Sequence, residues 1–170
     1  QSALGRRPAV EDVYKPTLHH LADRIGARLR DKSLGGRTIT VRVRFSDLRS
    51  VTRAVTLPSP VSATRSLAEI AEDLVRGVLR DHQHEKTISL LAISVSHLES
   101  PALLQLELPL GLAGQARRPG TNGSEARSRA DKAMDAIRER FGDDAVRYGS
   151  ASRQERSVPD EFRRLAEKEL

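Results

Sequence analysis

Arginine takes alternate positions in "TVRVRF", Thr40 to Phe45, with Arg37 just before this stretch and Arg53 shortly after it. On an extended strand, residues two apart share a face and lie about 7 Å from each other, close to the spacing of successive phosphates. Each guanidinium can make charge-assisted, often paired, bonds to phosphate oxygens. The chemistry these residues suit is the holding of a polyanion. A second pattern follows in "LLQLELPLGL", Leu103 to Leu112, where leucine returns at every second position from Leu104 onward. Two uses share that period and the pattern does not choose between them. One is an edge strand; the other is an extended peptide that lays alternate leucines in an apolar cleft and hydrogen-bonds Gln105 in a polar pocket.

Catalytic chemistry has little to work with. Metal-dependent phosphoryl transfer needs clustered carboxylates, yet Asp47 is the one carboxylate between Arg37 and Pro58, and Glu72 with Asp73 falls on the polar side of a helix. His19 with His20, and His82 with His84, have no Cys or carboxylate at a familiar ligand spacing. There is no G-x-S-x-G elbow and no glycine-rich loop leading a strand into a helix. With no Cys at all, disulfides, zinc ribbons and thiol nucleophiles are excluded. No catalytic residue, metal site or cofactor is assigned to these residues.

Charge is distributed unevenly. Residues 1–65 hold 13 Lys/Arg against 5 Asp/Glu, residues 66–110 hold 3 against 7, and residues 111–170 hold 13 against 11. A basic first third points to nucleic acid more directly than a net charge of +6 does. Aromatic residues make up only 3% and Trp is missing, which argues against base stacking on single strands. The absence of a signal segment and of a long apolar run gives the expectation of a soluble, cytoplasmic protein outside any membrane, and a start at Gln1 that of a fragment.

The elements that must position the arginines follow from periodicity. Gln1–Gly5 reads as a short strand with Leu4 inward. Leu18, Leu21, Ala22, Ile25 and Leu29 mark one helical face between Pro8 and Asp31, with Pro16 expected in its opening turn and Val10 and Val13 in a turn before it. In Arg37–Phe45, Ile39, Val41, Val43 and Phe45 point one way; Thr38, Thr40, Arg42 and Arg44 point the other. "SDLRS" is a hairpin connection, and Val51–Leu57 a strand of ambiguous parity. The preferred arrangement puts Thr52, Ala54 and Thr56 under the helices and Arg53 outward, because the reverse buries Arg53 with no evident partner. Ser62 is the expected N-cap of a helix near residues 63–81, striped by Leu67, Ile70, Ala71, Leu74 and Val78. Thr87–Leu98 is a strand with Leu91, Ile93 and Val95 inward and Ala92, Ser94 and Ser96 outward.

This is an α+β fold: a four-stranded sheet with two helices on one face, in the order β-α-β-β-α-β. The open face would carry Thr40, Arg42, Arg44, Arg53, Ser94 and Ser96. Three segments are expected: a nucleic-acid-binding domain over 1–100, a peptide and linker over 101–124, and a partly helical tail over 125–170. In the tail, Ala130, Ala133, Met134, Ile137 and Phe141 space as a helix ended by Gly142, and Asp160–Leu170 as a short charged one.

The order of elements, with "TVRVRFSDL", "TRAVTLP" and "ISLLAISVSHL", resembles the little-finger (polymerase-associated) domain of Y-family DNA polymerases of the DNA polymerase IV type, and "QSALGRRP" resembles actinobacterial members. The resemblance covers about residues 1–110. It implies a non-catalytic part of a DNA-directed translesion polymerase, monomeric, whose missing upstream domains would hold the catalytic carboxylates and Mg2+. It implies a sheet that contacts both backbones of double-stranded template–primer DNA. By position, Arg42 and Arg44 match basic sites of the second strand, Arg37 the basic site at its start, and Arg53 a polar or basic site of the third. The last strand departs from the family pattern at Ser89, Leu90 and Ala92, which shifts the expected contact onto strands two and three. Gln105-Leu106-Glu107-Leu108-Pro109-Leu110 resembles the family's sliding-clamp-binding motif, with Gln105, Leu106, Leu108, Pro109 and Leu110 as its contacts. The alternative from a different class is a free-standing RNA-binding or regulatory α+β module whose leucines form an edge strand.

Overall fold

The computed structural model describes residues 1–100 and 124–149, with side chains from 127 onward in the second segment. The elements are β1 (Ser2–Pro8), α1 (Glu11–Asp31), β2 (Gly35–Phe45), β3 (Ser50–Val61), α2 (Thr64–Asp81), β4 (Thr87–Glu99) and α3 (Ser124–Phe141). The four strands form one sheet in the order β1-β4-β2-β3, with every neighbouring pair antiparallel. β1 and β2 are therefore parallel to each other across β4, and β3 and β4 are parallel across β2. Each parallel pair needs a helical crossover. The two crossovers start from strands of opposite sense and run in opposite directions along the sheet. One shared handedness then brings both helices to the same face.

That shared face holds the core. Ile39, Val41, Val43 and Phe45 of β2 are fully buried, as are Ile88 and Leu91 of β4. Against them pack Tyr14, Leu18, Leu21 and Ala22 from α1 and Leu67, Ala68, Ala71, Val75 and Val78 from α2. Each large aliphatic or aromatic side chain buried here contributes roughly 1.5–3 kcal/mol relative to exposure. The α+β architecture, with two helices on one face and a helical segment after the sheet, agrees with the sequence. Gly36 marks a tight contact within the sheet: a Cβ there would fall 2.0 Å from Val95 Cγ1.

Three local expectations are corrected. α1 begins at Glu11, so Val13 lies in its first turn and Pro16 is its sixth residue, beyond the opening turn. Pro16 has no N–H for the carbonyl of Asp12, and the helix continues because Tyr14, Thr17 and Leu18 are buried on either side of it. The parity of β3 is the reverse of the preferred one. Val51, Val55 and Leu57 pack on the core, while Thr52, Ala54 and Thr56 are exposed on the open face. Arg53, opposite Val41, lies on the helix side, where its Nη2 donates to Asp81 at the end of α2. β3 is an edge strand, so the guanidinium reaches solvent at the rim of the helix layer and is not buried.

The third correction concerns the cap of α2. Ser62 is not the N-cap; Ala63 holds that position and makes no side-chain cap bond. The acceptor comes from α3. Asp131, fully buried, accepts from the Thr64 amide at 2.8 Å, from Arg30 Nη1 at 3.2 Å and from the Tyr148 hydroxyl. Arg30 also bonds Asp135 through Nε (2.6 Å) and Nη2 (3.0 Å), and the Ser62 carbonyl through Nη1. Burial opposes the Arg30 charge, but Asp135 and Asp131 outweigh it and hold its pKa above the usual arginine value. Farther along, Arg138 forms a two-bond pair with Asp23, and Arg127 another with Glu69. Gly26 makes room for this network: a Cβ there would lie 2.8 Å from Thr64 Oγ1 and 2.9 Å from Arg30 Nη1. α3 thus docks on α1 and α2 through charged side chains. It ends at Gly142, whose φ of 95° and amide bond to the Arg138 carbonyl give the expected glycine stop. The expected helix Asp160–Leu170 lies outside the described residues. Among those described, no helix is long and apolar enough to cross a membrane.

Candidate nucleic-acid interface

The face of the sheet away from α1 and α2 is built by the even-numbered positions of β2 and β3. Strand alternation commits Ile39, Val41, Val43 and Phe45 to the core and so turns Thr38, Thr40, Arg42 and Arg44 outward. Register then sets their neighbours. Arg42 lies between Ala92 and Thr52, Thr40 between Ser94 and Ala54, Thr38 between Ser96 and Thr56, and Arg44 between Leu90 and Ser50. The two arginines occupy one end of the face, and threonine and serine hydroxyls interspersed with Ala54 and Ala92 occupy the rest.

Local bonds hold the cations lightly. Arg42 Nη2 is 3.4 Å from Ser50 Oγ, and Arg44 Nε donates to Ser89 Oγ at 3.1 Å. Among the described residues, neither Arg42 nor Arg44 pairs with a carboxylate. Thr38 Oγ1 shares hydrogen bonds with Thr56 Oγ1 and His97 Nδ1, each at 2.9 Å. Ser89 is buried. It sits where the β2–β4 register slips between Arg44 and Phe45, and its hydroxyl donates to the Phe45 carbonyl at 2.8 Å.

The structure gathers Thr40, Arg42, Arg44 and Ser94 on one face and leaves the other two sequence-proposed residues off it. Arg37 donates from Nε to the Leu57 carbonyl (3.0 Å) and from Nη1 to Glu99 (3.3 Å), where β2 begins. Arg53 is paired with Asp81, whose carboxyl is held below its usual range by the hydrogen bond from that guanidinium and by its charge. Thr52 and Thr56 join the expected Ser96 on the open face; the sequence misses these two threonines because the preferred parity of β3 is the wrong one. Among the described residues no group of three or more His, Cys, Asp or Glu could hold a metal ion. The peptide residues Gln105, Leu106, Leu108, Pro109 and Leu110 lie outside the described residues.

The model of the impB/mucB/samB family C-terminal domain matches residues 3–108, spanning all four strands and both covering helices. The chain belongs to this family. It is thus a little-finger domain of the Y-family polymerase type. It is 67% identical over 171 residues to "DNA polymerase IV 2" of Mesorhizobium japonicum, covering 100% of this chain and 41% of that protein. It is 31% identical over 141 residues to "DNA polymerase IV" of Desulfatibacillum aliphaticivorans, covering 81% of this chain and 32% of that one. The little-finger chain therefore spans less than half of the relatives it matches. Among solved structures, a Y-family DNA polymerase chimera aligns with 55% of the chain at a TM-score of 0.45 and 16% identity.

Proposed function

We propose that this little-finger domain grips double-stranded template–primer DNA by its backbones, as the non-catalytic part of a DNA polymerase IV-type translesion enzyme. The observation that carries it is the open sheet face. Arg42 and Arg44 stand there on one strand, on the side opposite the core, with hydroxyls beside them. Phosphate contacts of this kind fix position and carry little sequence information. Arg37 and Arg53 contribute less than the sequence suggests, since each is already paired with a carboxylate. The rest of the longer protein would supply the catalytic carboxylates and Mg2+.

The test is duplex affinity measured against salt. Each phosphate-contacting cation lost should lower the slope of log affinity against log salt by about 0.9. Arg42→Ala with Arg44→Ala should therefore flatten it by about two. Unchanged affinity and slope in that double variant would move the DNA to another surface.

We further propose recruitment to the bacterial sliding clamp through Gln105–Leu110, which rests on the sequence alone. Titration of the chain with the clamp, beside Gln105→Ala and Leu108→Ala, tests it. Binding that survives both substitutions would remove the motif from the function.

A further inference from the structure

His97 does not point where its strand would send it. β4 turns Ile93 and Val95 toward the helices and Ser94 and Ser96 to the open face, so alternation assigns His97 to the helix side. Its backbone instead takes a left-handed φ of 52°. The ring reaches across to the open face, where Nδ1 lies 2.9 Å from Thr38 Oγ1. No inserted residue produces this turn: Gly36 pairs with Leu98 and Thr38 with Ser96 on either side of it. Gly36 leaves the room for it, since a Cβ there would fall 2.0 Å from Val95 Cγ1 and 3.3 Å from Leu98 Cδ2. A residue with a side chain adopts such a φ at a cost, and backbone of this kind gathers where ligands are held. The Thr38 hydroxyl also bonds Thr56 Oγ1, so a row of His97, Thr38 and Thr56 spans β4, β2 and β3.

We infer that His97 is a further phosphate-binding residue, and that it meets the DNA backbone opposite the one held by Arg42 and Arg44. The inference rests on the duplex-binding reading of this face. Thr38 and Arg42 are four residues apart on β2, about 13 Å at 3.3 Å per residue, which matches a major groove about 12 Å wide. A strand laid across the groove brings its arginine end to one backbone and its His97 end to the other. Nδ1 is engaged by Thr38, which leaves Nε2 as the nitrogen that meets a phosphate oxygen. A phosphate there sets the order of donors along the row: Thr56 donates to Thr38, Thr38 to Nδ1, and the Nε2 proton to the phosphate. Hydrogen bonds aligned in one direction polarise one another and strengthen the last donor. Unlike the arginines, a neutral imidazole adds grip without releasing a counterion. Arg37, next to Thr38 on β2, does not duplicate the contact, because its guanidinium is bonded to Glu99 and to the Leu57 carbonyl.

The experiment measures binding of the full 170-residue chain to a template–primer duplex at about pH 8, above the ordinary titration range of histidine. Single phosphates are replaced by uncharged methylphosphonates, one position at a time on each strand. His97→Gly removes the ring and suits a left-handed backbone, so the sheet keeps its form, and the amide signals of Val41 and Val43 should stay in place to report it. This variant should bind the duplex about tenfold more weakly with an unchanged salt slope, whereas Arg42→Ala should lower the slope by about 0.9. His97→Asn, which tolerates the same φ and keeps an N–H donor, should recover part of the loss. Combined with the methylphosphonates, His97→Gly should lose its effect at positions on one strand and Arg42→Ala at positions on the other. Unaltered affinity in His97→Gly, or coupling of both residues to the same strand, would overturn the inference and leave the duplex reading standing. Unaltered affinity both in His97→Gly and in the Arg42→Ala, Arg44→Ala double variant would overturn the two together.

Discussion

Replacing Asp131 with alanine removes three bonds at once, and the structure says where the loss should be felt. The Thr64 amide loses its cap, which is worth about 1 kcal/mol. The Tyr148 hydroxyl loses its acceptor, and Arg30 loses one of its two carboxylates while retaining Asp135. Removing one member of a buried charge pair costs about 3–5 kcal/mol when the other is left unpaired. The retained Asp135 brings the expected total down to about 3 kcal/mol. The cost has a ceiling, however: once it exceeds the docking energy of α3, the helix leaves and the core stays folded. Amide hydrogen exchange separates the two regions. A loss of 3 kcal/mol should lower protection in α3 by about 100-fold. The amides of Ile39, Val41, Val43, Leu91 and Ile93 should keep theirs. Unchanged protection in α3 would mean that the buried carboxylate is not what holds it. A parallel fall in β2 and β4 would mean that α3 is part of the cooperative core.

Four further outcomes follow from the same geometry. Tyr148 is pushed above its usual pKa by burial and by its hydrogen bond to Asp131, and Tyr14 is raised mainly by burial. A raised folded-state pKa gives stability that is complete below about pH 10 and is lost as pH rises toward the folded value. Phenolate absorbance should therefore show both tyrosines titrating above their ordinary range, and Asp131→Ala should lower Tyr148 toward it. Arg53→Ala and Arg37→Ala should each leave the salt slope of duplex binding almost unchanged, whereas Arg42→Ala should reduce it by about 0.9; equal effects from all three would refute the distinction between paired and open arginines. Phe45→Ala should destabilise by about 3–5 kcal/mol in urea unfolding, since the ring is fully buried between sheet and helices. Gly36→Ala should cost about 1–3 kcal/mol in the same assay, because the new methyl meets Val95.

Legibility in the sequence followed the range of the interactions. β2 was readable on both faces because four apolar and four polar residues alternate without interruption, which fixes Arg42 and Arg44 on the open side. The stripes of α1 and α2 were readable from Leu18–Leu29 and Leu67–Val78 for the same reason. β3 was not, because valine, threonine, alanine and arginine give both faces a plausible core. What decides it is Asp81, 28 residues farther on and contributed by a different element. The docking of α3 was still less accessible. Its apolar spacing marks a helix and nothing more, and the structure leaves Ala130, Ile137 and Phe141 exposed and buries Asp131. The pairs responsible join Arg30 to Asp135 and Asp23 to Arg138 across more than a hundred residues. No local periodicity encodes such a match. The start of α1 was misplaced for a local reason: Pro16 suits a first turn, and tertiary burial of Tyr14 carried the helix past it.

The cap of α2 has a consequence for biosynthesis. The last strand is complete at Glu99, but the carboxylate that satisfies the Thr64 amide belongs to a residue that the ribosome has not yet added. At about 5–20 residues per second, Asp131 follows roughly 2–6 seconds later. A nascent sheet domain thus has an interval in which the first turn of α2 faces water, and the arrival of α3 is the final step that closes it. Any product that terminates between the two residues keeps the open face with its arginines but lacks the finished helix end.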